Sequence, residues 1–183
     1  MENKEKKEKI EEKTRVFKVF REMIPYAVIV LVVVLIRTFI MTPVRVNGES
    51  MSDYLKEGDI LILNKLDNSY NRFDIVVVNV NGTKIIKRII GMPGETISYE
   101  DCQLYINEKP IDDFVKDCTT KDFSLNSLYG YLMIPNDYYF VMGDNRDNSS
   151  DSRDRRVGLV SKEQIEGTVS IRLFPFNKIG KLK

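Results

Sequence analysis

Between Ile24 and Met41 the chain carries one charge, Arg37, and from Ala27 to Ile36 it carries none. A run of this length stands near the lower limit of the ~17–25 residues a helix needs to cross a bilayer. It is apolar all round, the pattern of a helix solvated by lipid rather than one packed by a single face. Arg37 lies near one end, where its stem can carry the charge to the headgroups. Thr42-Pro43-Val44-Arg45 follows in place of an A-x-A segment, which argues against a cleaved leader. Lys4, Lys6, Lys7, Lys9, Lys13, Arg15, Lys18 and Arg21 precede the run. The positive-inside bias then expects a single-pass cell-membrane protein with a cytoplasmic N-terminus. Three segments follow: a charged cytoplasmic stretch over 1–23, the anchor over 24–41, and an extracytoplasmic domain over 42–183. Glu2 to Phe20, dense in Glu and Lys, reads as a frayed solvent helix or as disorder.

Past Pro43 the pattern changes from helical to β. Ile60–Leu63, Asp74–Val80, Thr83–Ile90, Thr96–Tyr99, Leu104–Ile106, Tyr138–Met142 and Thr168–Phe174 are strand candidates rich in β-branched and aromatic residues. Asn81-Gly82 is a strong two-residue hairpin turn between two of them. Asn107-Glu108-Lys109 makes a turn before Pro110. Ser161 to Ile165 has the form of a capping box opening a short helical turn. Asp112 to Leu128 reads as a long excursion or weak strands. The expected architecture is mainly β: a coiled, antiparallel, barrel-like domain behind one N-terminal transmembrane helix.

Composition removes several chemistries. The net charge of +1 speaks against a nucleic-acid surface. The chain contains no histidine, which excludes Ser-His-Asp and Cys-His hydrolases and most zinc enzymes. Cys102 and Cys118 are too few soft ligands for a metal; outside the membrane they can form a disulfide or remain two thiols. Asp144 to Asp151 lacks the spacing and central glycine of an EF-hand loop.

Without histidine, a serine nucleophile needs another base, and a lysine serves once burial has lowered its pKa. Ser50, in Gly48-Glu49-Ser50-Met51, lies just past the anchor. Lys87 sits in Ile85-Ile86-Lys87-Arg88-Ile89-Ile90, where strand alternation puts it on the face of Ile85 and Ile89. Gly143 to Arg153, G-D-N-R-D-N-S-S-D-S-R, has an Arg and an Asp at each end of a short Ser-rich loop. Charge-assisted hydrogen bonds can tie such a loop into a site. Taken singly, Ser50 fits a turn serine, Lys87 a snorkelling lysine at a sheet edge, and the loop a structural ion pair.

Together these segments resemble the type I signal peptidases of the Gram-positive kind, membrane-bound serine proteases with a Ser/Lys dyad. Ser50-Met51 is similar to the opening of S-M-x-P-T-L, and Gly58 to Lys65 to G-D-x-V-x-V-x-K. Lys87 to Glu95 resembles K-R-x-x-G-x-P-G-D/E, and the closing loop matches G-D-N-R-x-x-S-x-D-S-R at every fixed position. The resemblance implies Ser50 as nucleophile and Lys87 as general base. It implies Ser149 and Asp151 as the groups that orient the lysine, and an Asp151–Arg153 ion pair in support. Gly48 takes the place where some members carry an oxyanion-binding serine. The implied substrates are secretory preproteins cut after small residues at the outer membrane surface through an acyl-enzyme, with phospholipid as neighbour and with no cofactor, metal or nucleic acid. The sequence departs at Ser52-Asp53-Tyr54-Leu55, where proline and threonine are expected before the leucine. The alternative is a catalytically degenerate member, to which this departure points, or a non-enzymatic membrane-tethered β domain, that binds signal peptides or other partners. A self-cleaving Ser/Lys repressor would need a DNA-binding domain where the anchor stands.

Overall fold

The computed structural model describes residues 2–52, 54–113, 115 and 118–182, without the side chains of residues 2–14 and 16. Asp53, part of the departure after the candidate nucleophile, lies outside the described residues. The chain divides into two compact units, Met1–Ile40 and Met41–Lys183.

The first unit is one helix, α1 (Glu2–Phe39), so the charged stretch over Glu2–Phe20 takes the helical alternative. An 18-residue stretch within Phe17–Phe39 has a mean hydropathy of 2.3, and none of it is buried. A helix so apolar with no protein cover is long enough to cross a bilayer and suited to lipid. Met41, read as the end of the apolar run, instead opens the first strand.

The second unit is β-rich. Its elements are β1 (Met41–Arg45), β2 (Ile60–Asn64), β3 (Ile75–Val80), β4 (Thr83–Gly91), β5 (Ile97–Glu100), β6 (Gln103–Ile106), β7 (Lys109–Ile111) and β8 (Phe123–Ser124). They continue with α2 (Leu125–Tyr129), β9 (Tyr138–Met142), β10 (Val160–Ser161), β11 (Ile165–Phe174) and β12 (Gly180–Lys181). Among the described residues the larger sheet runs β1-β2-β11-β3-β4-β9-β10 with β12 on β11, and the smaller runs β7-β6-β5-β8. Every pairing is antiparallel. Asn81 and Gly82 join β3 to β4 with φ of 50° and 85°, the left-handed pair a type I′ turn requires. Register shifts interrupt β11 against both neighbours and β4 against β9 between Ile89 and Gly91. Each bends its strand and adds twist.

The β3 side chains point alternately to two packed faces. Val76 and Val78 join Tyr70, Ile89, Val141 and Ile165; Ile75 and Val77 join Val46, Met51, Leu55, Leu61 and Val169. The smaller sheet closes a third cluster, in which the Phe123 ring stacks between Tyr99 and Phe140 at 6.1 and 5.5 Å. Within the Asp112–Leu128 stretch lies α2, which the sequence reading did not resolve. Ser124 and Ser127 cap each other at its start, and Gly130 ends it in the left-handed region. A short 3-10 turn over Lys162–Gln164 stands where the capping box suggested one, with Ser161 N–H donating to Gln164 Oε1 at 2.9 Å. Cys102 and Cys118 are joined, with Cα atoms 4.9 Å apart, so the disulfide alternative holds.

Candidate active site

Ser50 lies in a tight turn between β1 and β2. Met51 and Leu55 anchor that turn: both are buried in the cluster under β2, and Leu55 N–H donates to the Met51 carbonyl at 2.6 Å. With two pegs sunk, Ser50 between β1 and Met51 stays half-buried. Gly48, two residues earlier, is exposed with φ 85°. Tyr54 stands where a threonine was expected. Its ring lies under the Arg88 guanidinium at 5.2 Å, and its carbonyl accepts from Arg172 Nη2 at 2.7 Å. That packing gives the larger side chain a place in the fold.

Lys87 pairs across the sheet with Val76, on the face of Ile85 and Ile89. It is only 2% exposed. Its amine meets Ser149 Oγ at 3.2 Å, and Ser149 Oγ meets Asp151 Oδ2 at 2.6 Å. A carboxylate only accepts, so Ser149 gives Asp151 its one hydrogen and its lone pairs receive from Lys87. The lysine is thus held by an N–H it donates, which leaves the lone pair of a neutral amine free. Asp151 also accepts from Gly143 N at 3.0 Å and from Arg153 Nε and Nη2 at 2.8 and 2.9 Å.

The electrostatics follow from this packing. Burial pushes the Lys87 amine down to about 8; the Asp151 charge pulls it up, Arg153 pushes it down again, and Asp144 pulls it up. Burial would raise the Asp151 carboxyl, but the Arg153 hydrogen bonds and charge, with Ser149 and Gly143 N–H, outweigh it and hold it below the usual carboxylate range. Asp151 therefore stays ionised while Lys87 is poised to lose its proton near neutrality.

Gly143 brings the segments together. A Cβ there would collide with the Ser50 carbonyl oxygen and with Ser149 Oγ, and would stand 2.7 Å from Ser149 Cβ. The Ser50 turn and the hydroxyl that holds Lys87 thus share the space of one missing methyl group. Asn145 N–H donates to the Ser50 carbonyl at 3.0 Å, and Asp144 N–H to Met51 Sδ at 3.4 Å. Of the six candidates, Lys87, Ser149, Asp151 and Arg153 form one hydrogen-bonded chain, Ser50 adjoins it at Gly143 through its main-chain carbonyl, and Gly48 is exposed.

Sequence reasoning passed over a second charge layer beneath it. Arg88 is fully buried and forks onto Asp144, Nε to Oδ1 at 2.8 Å and Nη2 to Oδ2 at 2.7 Å, while Nη1 donates to the Phe73 carbonyl at 2.9 Å. The available signal was that Arg88 and Asp144 each adjoin a residue already singled out, Lys87 and the start of the closing loop. Arg88→Ala would strand a buried carboxylate, and it is expected to lower stability by about 3–5 kcal/mol. Arg88→Lys should recover only part, because an ammonium cannot make the two-pronged contact. Urea unfolding of the detergent-solubilised variants measures both.

An antiparallel domain that seats a desolvated lysine against a hydroxyl backed by a carboxylate, in a chain without histidine, is suited to hydrolysis. The comparisons define the class. Residues 19–174 match the family model described as signal peptidase, peptidase S26. Signal peptidase I of Bacillus amyloliquefaciens is 39% identical over 98% of this chain and 100% of its own length. Signal peptidase I T of Bacillus subtilis is 40% identical over 84% of each chain. The crystal structure of a signal peptidase I from Enterococcus faecalis superposes with a TM-score of 0.50 at 37% identity, covering 55% of this chain and 96% of that one. The protein is a serine peptidase. It belongs to the signal peptidase family, peptidase S26, whose reaction is the removal of signal peptides from preproteins.

Proposed function

We propose that Ser50 is the nucleophile and Lys87 the general base of a signal peptidase I reaction at the outer face of the cell membrane. The observation that carries this reading is the buried Lys87 amine, lowered to about 8 and held by Ser149 beside the main chain of Ser50. Neutral Lys87 takes the Ser50 Oγ proton as that oxygen bonds to the scissile carbonyl carbon. The Ser50 N–H, with Gly48 leaving the approach clear, is one donor for the oxyanion. Lys87 passes the proton to the departing amine, and an acyl-enzyme remains. Lys87 then removes a proton from water, whose oxygen bonds to the acyl carbon as the bond to Ser50 Oγ breaks, and it returns that proton to Ser50 Oγ. Ser149, Asp151 and Arg153 orient the base. No metal or organic cofactor takes part in these steps.

The preprotein segment is extended and adds to a sheet edge, with small side chains at the cut. The basic residues before α1 favour an N-terminus in the cytoplasm and residues 42–183 outside, next to phospholipid that also holds the substrate's apolar segment. Nucleic acid has no part.

In detergent, the purified protein should cut a preprotein after a small residue and spare the same preprotein carrying a bulky one there. Only the amine form of Lys87 is a base, so kcat/KM should climb with pH and level off above a midpoint near 8. At pH 7 roughly a tenth of the molecules should hold the neutral form. A flat profile between pH 6 and 9 would exclude Lys87 as the titrating base. Absence of cutting at every pH would favour the binding-only alternative.

A further inference from the structure

The Arg146 guanidinium is almost fully buried in the loop that carries Ser149 and Asp151. Its Nε donates to the Gly143 carbonyl at 3.0 Å, and its own carbonyl accepts from Arg153 Nη2 at 2.8 Å. It therefore closes the loop from Gly143 to Arg153 upon itself. Its other two nitrogens go elsewhere: Nη1 and Nη2 fork onto Asp113 at 2.6 and 2.7 Å, with the side chains 1% and 8% exposed. Asp113 belongs to the strap that leaves β7. Gln103 Nε2 pins the strap's start by donating to the Ile111 carbonyl at 2.8 Å, and the Cys102–Cys118 disulfide ties it back to the β5–β6 turn.

We propose that Asp113 is a positioning residue of the peptidase: the disulfide-tied strap delivers its carboxylate to Arg146, and Arg146 fixes the loop that presents Ser149 and Asp151 to Lys87. The proposal rests on the Ser50/Lys87 reading and adds a residue from the smaller sheet's side to its machinery. Two parallel charge-assisted hydrogen bonds set both the place and the plane of the guanidinium. Gly143 and Arg153 take their positions from that plane, and Asp151 takes its hydrogen bonds from both. With Asp113 neutralised, the buried Arg146 charge has the adjacent loop carboxylates as its alternatives, Asp151 among them, at the expense of the hold on Ser149. Turnover therefore suffers more than substrate binding.

The test uses the full-length oxidised protein in detergent, with kcat and KM for one preprotein and thermal unfolding measured together. Asp113→Asn should lower kcat about tenfold, the scale set by small misplacement of catalytic groups, with KM within about twofold. Asp113→Glu, which keeps the carboxylate, should recover most of the loss. Asp113→Asn/Arg146→Gln removes both buried charges, should stay folded, and should remain slow. Cys102→Ser/Cys118→Ser should lower kcat severalfold, since the chain after Asp113 then loses its tie to the β5–β6 turn. Parental kcat in Asp113→Asn or in the double-charge variant overturns the assignment, and so does a loss that Asp113→Glu fails to relieve. Parental kcat in the double-serine variant overturns the part given to the disulfide. Lys87→Ala in the same assay separates the two levels: its full activity would sink the dyad itself, whereas Asp113 variants at parental rate beside an inactive Lys87→Ala sink the brace alone.

Discussion

Ser50→Ala and Lys87→Met should each reduce preprotein cleavage by at least about 10³-fold, because members of a nucleophile–base pair act as a unit. Their effects on stability should differ. Ser50 is half-buried in a turn held by Met51 and Leu55, so its hydroxyl can be removed at little cost. Lys87 is another matter. Its folded-state pKa is lowered from 10.5 to about 8, so between those values the unfolded chain holds the extra proton. Stability contributed at this position therefore rises with pH across that window, and below pH 8 the full penalty is present. The shift corresponds to a cost on the order of 3 kcal/mol at neutral pH. Methionine fills similar volume without a charge, while Asp151 keeps Arg153, Ser149 and Gly143 N–H as partners. Lys87→Met is thus expected to be inactive yet more stable than the parent at pH 7, with the advantage shrinking as pH approaches 10.5. Thermal unfolding at pH 7 and pH 10 reads the sign directly. A Lys87→Met protein that cleaves at parental rate, or one that loses stability at pH 7, would contradict the reading of a desolvated base.

What could be read from the chain and what could not divide along sequence distance. The β3–β4 hairpin was legible because β-branched alternation and Asn81-Gly82 are local signals. The pieces of the candidate site were legible for the same reason: Ser50 follows the apolar run, Lys87 sits within an isoleucine-rich strand, and Ser149, Asp151 and Arg153 lie within one short loop. The α2 helix escaped because so short a segment has little hydrophobic period, and its signal is a Ser124/Ser127 cap rather than a pattern. The partners that cross the fold also escaped. Nothing near Arg146 in sequence points to Asp113, and nothing near Arg88 excludes a surface role, since one alternation assigns it only a face. Burial of both guanidiniums depends on pairings formed by tertiary closure, where a carboxylate from another element makes the charge tolerable. Tyr54 gives the converse case. In sequence it is a departure beside Ser50, and in the fold its ring is a surface for the Arg88 charge.

Gly143→Ala should lower cleavage at least about 10²-fold, as expected when catalytic groups are misplaced by an ångström. The methyl has nowhere to go. The Ser50 carbonyl it meets is fixed by Asn145 N–H at 3.0 Å, and that turn is pinned below by buried Met51 and Leu55. Ser149 Oγ is fixed by Asp151 at 2.6 Å and Lys87 at 3.2 Å. Either the Ser50 peptide moves away from Lys87, or the Ser149 hydroxyl moves away from Asp151; under the proposed dyad both should lower kcat. The overpacking should also cost about 1–3 kcal/mol. Gly82→Ala supplies the contrast. Its φ of 85° strains any side chain, but a Cβ there meets nothing within 4 Å. That substitution should cost about 1 kcal/mol, with cleavage unchanged. Measuring kcat and urea midpoints for both variants separates backbone strain from collision at the site. A Gly143→Ala enzyme within threefold of the parent would mean that the Ser50 turn and the Ser149 hydroxyl do not converge on this residue in the working enzyme.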